Sequence, residues 1–206
     1  MRIFLVTLGC PKNEVDSAGM AVLLEEAGHI LVEEPVQADV LIVNTCGFIR
    51  PAREESLGVI AELARKKRRR QVLIAAGCMA GLYAAELEAL PGVDALLPTE
   101  RWDEITDMVA RLTGAGPTAP PDVPLVAGLS AVNGGSAYLK IADGCSAHCA
   151  FAPFPRSRGL TTASPRPRCS PRPAALWLRA SRRSSWWPRT RPFMDVTGAK
   201  KRGWPA

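Results

Sequence analysis

The 206 residues carry 26 Lys and Arg against 20 Asp and Glu, with six cysteines and two histidines. That length suits one complete domain and part of another. It holds no apolar run of about 18 residues that would span a membrane, and Met1–Leu8 lacks the layout of a secretory leader. The expected location is therefore the cytoplasm, with no membrane partner, where cysteines serve as ligands or reactive thiols rather than as a disulfide framework.

In chain order, Arg2 to Leu8 reads as a buried strand broken by Gly9 and Cys10. A helix is predicted from about Val15 to Ala27, with Val15, Val22 and Leu23 on one face, Asn13 or Asp16 as its cap and Gly28 at its end. Ile30–Val32 and Val40–Val43 are strands, the second running into Asn44, Thr45 and Cys46. Pro51–Lys67 is a helix with Ile60 and Leu63 inward. Val72–Ala76 is a strand ending at Gly77 and Cys78; Tyr83–Leu90 is helical, Ala95–Leu97 a strand, and Trp102–Leu112 an amphipathic helix. Strands alternating with helices give an α/β fold, a parallel sheet with helices on both faces. Residues 1–113 form this domain, 114–136 read as a Pro- and Gly-rich linker, and 137–152 open a second domain.

Charge divides the chain. Residues 1–152 hold 13 Lys and Arg against 19 Asp and Glu, whereas 153–206 hold 13 against Asp195 alone. Four of the five tryptophans lie in that tail, and its hydrophobic pattern has no period, so it is expected to be unstructured. Within residues 65–70, the run Arg-Lys-Lys-Arg-Arg-Arg reads either as cations at a helix C-terminus or as an RNA contact. A basic tail bearing Trp186 and Trp187 leaves a nucleic-acid partner open as a rival reading.

Cys10, Cys46 and Cys78 each follow a predicted strand. Loops at the carboxyl ends of parallel strands line one crevice, so the three converge. They are either small buried core residues or thiolates that hold an Fe–S cluster with one iron left open.

The words around them settle on a family. Leu8-Gly9-Cys10-Pro11-Lys12-Asn13-Glu14-Val15-Asp16-Ser17, Asn44-Thr45-Cys46-Gly47-Phe48-Ile49 and Gly77-Cys78-Met79 resemble the three cysteine motifs of the radical-SAM methylthiotransferases. The Cys-Pro-Lys-Asn form resembles the branch that modifies an aspartate of a small-subunit ribosomal protein; the tRNA-modifying branch usually carries Gln at the Pro11 position. The resemblance covers Met1 to about Phe151. It implies a SAM-dependent transfer of a methylthio group to the aspartate β-carbon, two 4Fe–4S clusters, and the ribosomal protein or the ribosome as partner. Cys10, Cys46 and Cys78 would hold the first cluster. A remnant of the tRNA-modifying branch and an Fe–S module with an RNA-binding tail are the alternatives.

Tyr138 to Phe151 resembles the start of the family's radical-SAM domain, whose motif is Cys-x3-Cys-x2-Cys. Cys145 and Cys149 match the first two ligands of the second cluster, and Phe151 matches an aromatic near SAM. Ala152 replaces the third ligand, and a methyl group cannot ligate iron. His148 lies between the first two ligands and reads as a loop histidine.

This loss coincides with the change in composition. One base lost within adjacent Phe and Cys codons, TTC-TGC to TTT-GC, gives Phe then Ala, as at Phe151 and Ala152. Trp186-Trp187-Pro188 must then have encoded Val-Ala, and Met194-Asp195 a Gly. Permitted codons between them allow Val-Ala-Gln-Asp-Thr-Ser-Val-Tyr-Gly-Arg-Asp, which resembles a barrel strand of the family. The expectation is a truncated chain: the first strand of a radical-SAM barrel, then an out-of-frame tail over 153–206, Cys169 included, and no turnover.

Overall fold

The computed structural model describes residues 1–114, 129–132, 136–139, 142–147 and 158–163. All belong to the first of two compact units, Met1–Arg168.

Five parallel strands form the sheet, β1 (Arg2–Thr7), β2 (Ile30–Leu31), β3 (Val40–Thr45), β4 (Val72–Gly77) and β5 (Ala95–Pro98), in the order β2-β1-β3-β4-β5. The central strand β3 is buried along its whole length, because its side chains alternate between two covered faces. Ile3, Val40, Ile42, Ile74 and Leu97 meet α1 (Pro11–Glu26) and α5 (Ile105–Thr113) through Met20, Leu24, Ile105 and Val109. Leu41, Val43, Leu73 and Ala75 meet α2 (Arg50–Lys66), α3 (Cys78–Leu82) and α4 (Ala84–Glu88) through Ile60, Met79 and Leu87. Each fully buried Leu or Ile contributes about 1.5–3 kcal/mol. The predicted α/β sheet with helices on both faces is thus present.

Several boundaries differ. Helix α1 starts at Pro11, four residues before the predicted Val15, because a proline at the first helical position loses no hydrogen bond. Its cap is Cys10, without a side-chain cap bond, so Asn13 and Asp16 lie inside the helix and are used elsewhere. Val22 is exposed, and Met20 and Leu24 take the inward positions. The helix predicted over 83–90 is the shorter α4, Ala84–Glu88, and an unpredicted short helix opened by Cys78, α3, precedes it. A 3-10 turn over Thr99–Glu104 precedes α5.

The predicted linker contains a strand. β6 (Leu129–Val132) pairs antiparallel with β7 (Ser136–Leu139), so the expected first barrel strand is one arm of a hairpin. β8 (Ala142–Asp143) pairs with β9 (Thr162–Ala163). The expectation of an unstructured tail from residue 153 is therefore corrected at 158–163: Arg158 is 4% exposed and pairs with Asp16 of the first domain and with Asp143 of β8. Residues 164–206 lie outside the described ones.

Candidate metal centre

The sheet order reverses between β1 and β3. β1 feeds α1 on one face, and β3 feeds α2 on the other. Diverging loops leave a crevice beyond the carboxyl ends of the two strands, and Cys10 and Cys46 stand on its two sides. Cys78 opens α3 after the adjacent β4.

Glycines permit this approach. A Cβ on Gly9 would stand 2.7 Å from Cys46 Sγ. Gly77, at φ 96°, brings β4 against Asn44 and Thr45 so closely that a Cβ would lie 2.3 Å from Asn44 Oδ1 and 2.4 Å from the Thr45 carbonyl oxygen. An L side chain fits neither that space nor that φ.

The thiols form one electrostatic unit. The hydrogen bond from Cys46 brings Cys10 down to about 5, against the opposing effect of burial and helped by the backbone N–H groups of Asn13 and Lys12. Cys46, as the donor, is pushed well above the ordinary thiol range, and burial adds to this. Cys10, at the start of α1, is thus shifted toward its thiolate form, a direction the helix dipole there also favours. Cys78 Sγ donates to Asn13 Oδ1 over 3.8 Å and accepts from Thr99 Oγ1 over 3.6 Å. Among the described residues no group of three or more His, Cys, Asp or Glu is arranged to hold a single metal ion.

A buried polar network fixes the crevice. Asn13 Nδ2 donates to the carbonyl oxygens of Leu8 and Thr45, both at 2.9 Å. Asn44 Nδ2 donates to the Asn13 carbonyl oxygen at 2.9 Å and to Ser17 Oγ at 2.8 Å. Thr45 Oγ1 donates to the Ala76 carbonyl oxygen at 2.5 Å, and Thr7 Oγ1 donates to Ser17 Oγ at 2.6 Å. The ends of β1, β3 and β4 are thereby tied to the first turn of α1. Asn13→Ala strands the Leu8 and Thr45 carbonyl groups in the interior. Each stranded group costs about 1–3 kcal/mol, and a urea titration should show a lowered midpoint with the slope unchanged.

Of the second cysteine set, Cys145 is half-buried and its N–H donates to the Gly159 carbonyl oxygen at 3.1 Å. His148, Cys149, Phe151 and Ala152 lie outside the described residues. Sequence reasoning missed Arg158, which the codon argument had assigned to meaningless sequence. Arg158 Nη1 reaches Asp16 Oδ2 at 2.9 Å and both Asp143 oxygens at 3.2 Å, while Nη2 donates to Asn13 Oδ1 at 3.0 Å. Asp16 and Asn13, expected as caps, instead receive this guanidinium.

The basic run is in part structural. Arg65 and Lys66 lie in the last turn of α2. Lys67 Nζ donates to Asp94 Oδ2 at 2.5 Å and to the Gly92 carbonyl oxygen at 2.7 Å, and Arg68 Nη2 donates to the Ala38 carbonyl oxygen at 3.0 Å. No helix among the described residues is long and apolar enough to cross a membrane.

Residues 2–98 match the model of uncharacterized protein family UPF0004. The chain is 43% identical over 185 residues to the ribosomal protein uS12 methylthiotransferase RimO of Roseiflexus sp. (strain RS-1), covering 77% of this chain and 39% of the relative. It is 42% identical over 192 residues to that of Chloroflexus aurantiacus, covering 80% and 41%. Against that of Anaeromyxobacter sp. (strain K) the identity is 44% over 165 residues, covering 77% and 35%. The chain spans about two fifths of the length of the curated relatives it matches. A match covering 77% of 206 residues extends past residue 152 wherever it begins. Over about four fifths of its length the chain is thus similar to methylthiotransferases named for ribosomal protein uS12.

Proposed function

We propose that this chain is the N-terminal part of a radical-SAM methylthiotransferase. The whole enzyme would add a methylthio group to the β-carbon of an aspartate in ribosomal protein uS12, in the cytoplasm. The observation that carries the proposal is the gathering of Cys10, Cys46 and Cys78 at the carboxyl ends of three neighbouring parallel strands.

The residues fit a 4Fe–4S cluster. Three thiols share one crevice, and one is already held toward the thiolate form that iron requires. A cubane spreads its ligands over several irons, so its thiolates need not close in as they would on a single ion. Cys10, Cys46 and Cys78 would hold it, leaving one iron free; when bound, the cluster supplies a site for the sulfur to be transferred. Asn13, Asn44 and Thr45 keep the three thiols in register, and the apolar faces of the sheet exclude water from behind them.

The second cluster does not fit this chain. Cys145 and Cys149 supply two of its three thiolates, and Ala152 supplies none. Phe151 matches the aromatic that would lie near SAM in the whole enzyme. The chain itself is expected not to turn over.

Anaerobic reconstitution of the full chain with ferrous iron and sulfide should give about four irons per chain and thiolate-to-iron charge-transfer absorption. Cys46→Ala should remove most of both while the far-ultraviolet circular dichroism persists. Unaltered iron content in that variant would refute the ligand assignment.

A further inference from the structure

Arg158 is the most buried cation among the described residues, with a side-chain exposure of 0%. It stands between two stretches that are far apart in sequence. On one side, Asp16 and Asn13 belong to the first turns of α1, directly after Cys10. On the other, Asp143 lies two residues before Cys145. Arg158 also shares the Asn13 Oδ1 acceptor with Cys78.

We infer that Arg158 is a positioning residue that fastens the loop of the second cysteine set to the crevice of the first. This rests on the reading of Cys10, Cys46 and Cys78 as cluster ligands and extends it to how the Cys145 loop is held against their crevice.

The chemistry favours arginine. A fork with several fixed donors meets Asp16, Asp143 and Asn13 at once, whereas an ammonium is a single point of charge. Two carboxylates more than balance the cation, which meets the condition for burying it. If Cys78 gives up its proton to bind iron, its bond to Asn13 Oδ1 is lost, and Arg158 still satisfies that oxygen. Arg158 Nε has no partner among the described residues. The segment is also held locally. Ser146 N–H donates to Thr161 Oγ1 at 2.9 Å, and Thr161 N–H donates to Ser146 Oγ at 3.1 Å. Gly144, at φ 76°, lies so near the Leu160 carbonyl oxygen that a Cβ would stand 2.3 Å from it.

The test uses the full chain as apoprotein and after reconstitution, with Arg158→Met, Arg158→Lys and Asp143→Asn. Amide hydrogen exchange is read over residues 142–147 and 158–161, with β3 and β4 as internal reference. The reduction potential of the first cluster is read separately. In Arg158→Met and Asp143→Asn, exchange in the two loop segments should rise by at least roughly tenfold while β3 and β4 stay protected. The potential should fall in Arg158→Met, which loses a positive charge beside Cys78, and return toward wild type in Arg158→Lys, because net charge near a cluster sets its potential. The lysine should leave the loops still open.

Loop exchange unchanged in both Arg158→Met and Asp143→Asn would overturn the inference. So would a potential that is the same in Arg158→Met, Arg158→Lys and wild type. Loss of protection in β3 and β4 in Asp143→Asn, which cuts only the loop side, would show a general stabilising role and overturn it also. If no form of the protein takes up iron, the ligand assignment fails, and the exchange arm on apoprotein still decides for or against the fastening.

Discussion

Gly77→Ala is expected to destabilise the sheet by more than any other single methyl addition in the crevice, by at least roughly 3 kcal/mol. Three effects add. At φ 96° an alanine is strained before any neighbour is considered. Its Cβ would stand 2.3 Å from Asn44 Oδ1, 2.4 Å from the Thr45 carbonyl oxygen and 2.8 Å from the Thr45 nitrogen. Two of those three atoms are backbone of the central strand, which cannot step aside without breaking its register with β4. The third belongs to the side chain that donates to Asn13 and Ser17. Chemical denaturation monitored by circular dichroism is the measurement. An alanine variant within about 1 kcal/mol of wild type would mean that β4 can retreat from β3 at its end. Gly58→Ala is the control, since nothing lies within 4 Å of a Cβ there; in the interior of α2 it should stabilise by up to about 1 kcal/mol.

The second large effect concerns turnover. This chain, reconstituted and given SAM, a reductant and uS12, should form no detectable methylthio-aspartate. Ala152→Cys alone should not change that, because these 206 residues span only about two fifths of the length of the relatives they match. Product formation by either chain would end the fragment reading. A gene restored to one frame beyond Ala163 and carrying Ala152→Cys as well should form the product. The place of correction is itself predicted. Codon arithmetic puts the lost base at Phe151 and Ala152, yet the family match runs past residue 152, and Arg158 meets Asp16 and Asn13 of the first domain and Asp143 before Cys145. The natural frame should therefore be in force at Arg158 and fail between Ala163 and Trp186. Resequencing codons 151–186 decides: one base missing at codons 151–152, with none gained before Arg158, would return the break to its first position.

What the sequence conveyed well was period. Val40–Val43 and Val72–Ala76 are continuous apolar runs, and such runs become central parallel strands because both faces are covered. The convergence of Cys10, Cys46 and Cys78 followed from the same logic, each being the residue after a strand or within one helical turn of it. Their role as ligands rests on the motifs, not on the pattern. Less legible was anything fixed by a partner distant in sequence. Asp16 has the composition of a cap, and nothing near it in the chain says that it meets a guanidinium at residue 158. The Asn13 side chain similarly carries four contacts to other segments, none visible from its neighbours. β6 escaped notice because Leu129–Val132 is short and flanked by Gly128 and Asn133, so its hairpin partner, not its propensity, makes it a strand. Arg158 was lost for another reason. Composition was averaged over 153–206, and an average cannot separate a few structured residues from the unlike sequence that follows.

The order of synthesis gives the sheet a further meaning. All five parallel strands and both helical layers are complete by Thr113, so every apolar face in them finds its cover from residues already made. Domains fold as units during translation, N-terminal part first. Cys10, Cys46 and Cys78 are therefore gathered while Cys145 is still inside the ribosome or not yet added. On the proposed ligand reading, a nascent chain could take up iron at one set of thiols before the other exists to compete for it, and Arg158 would arrive later still.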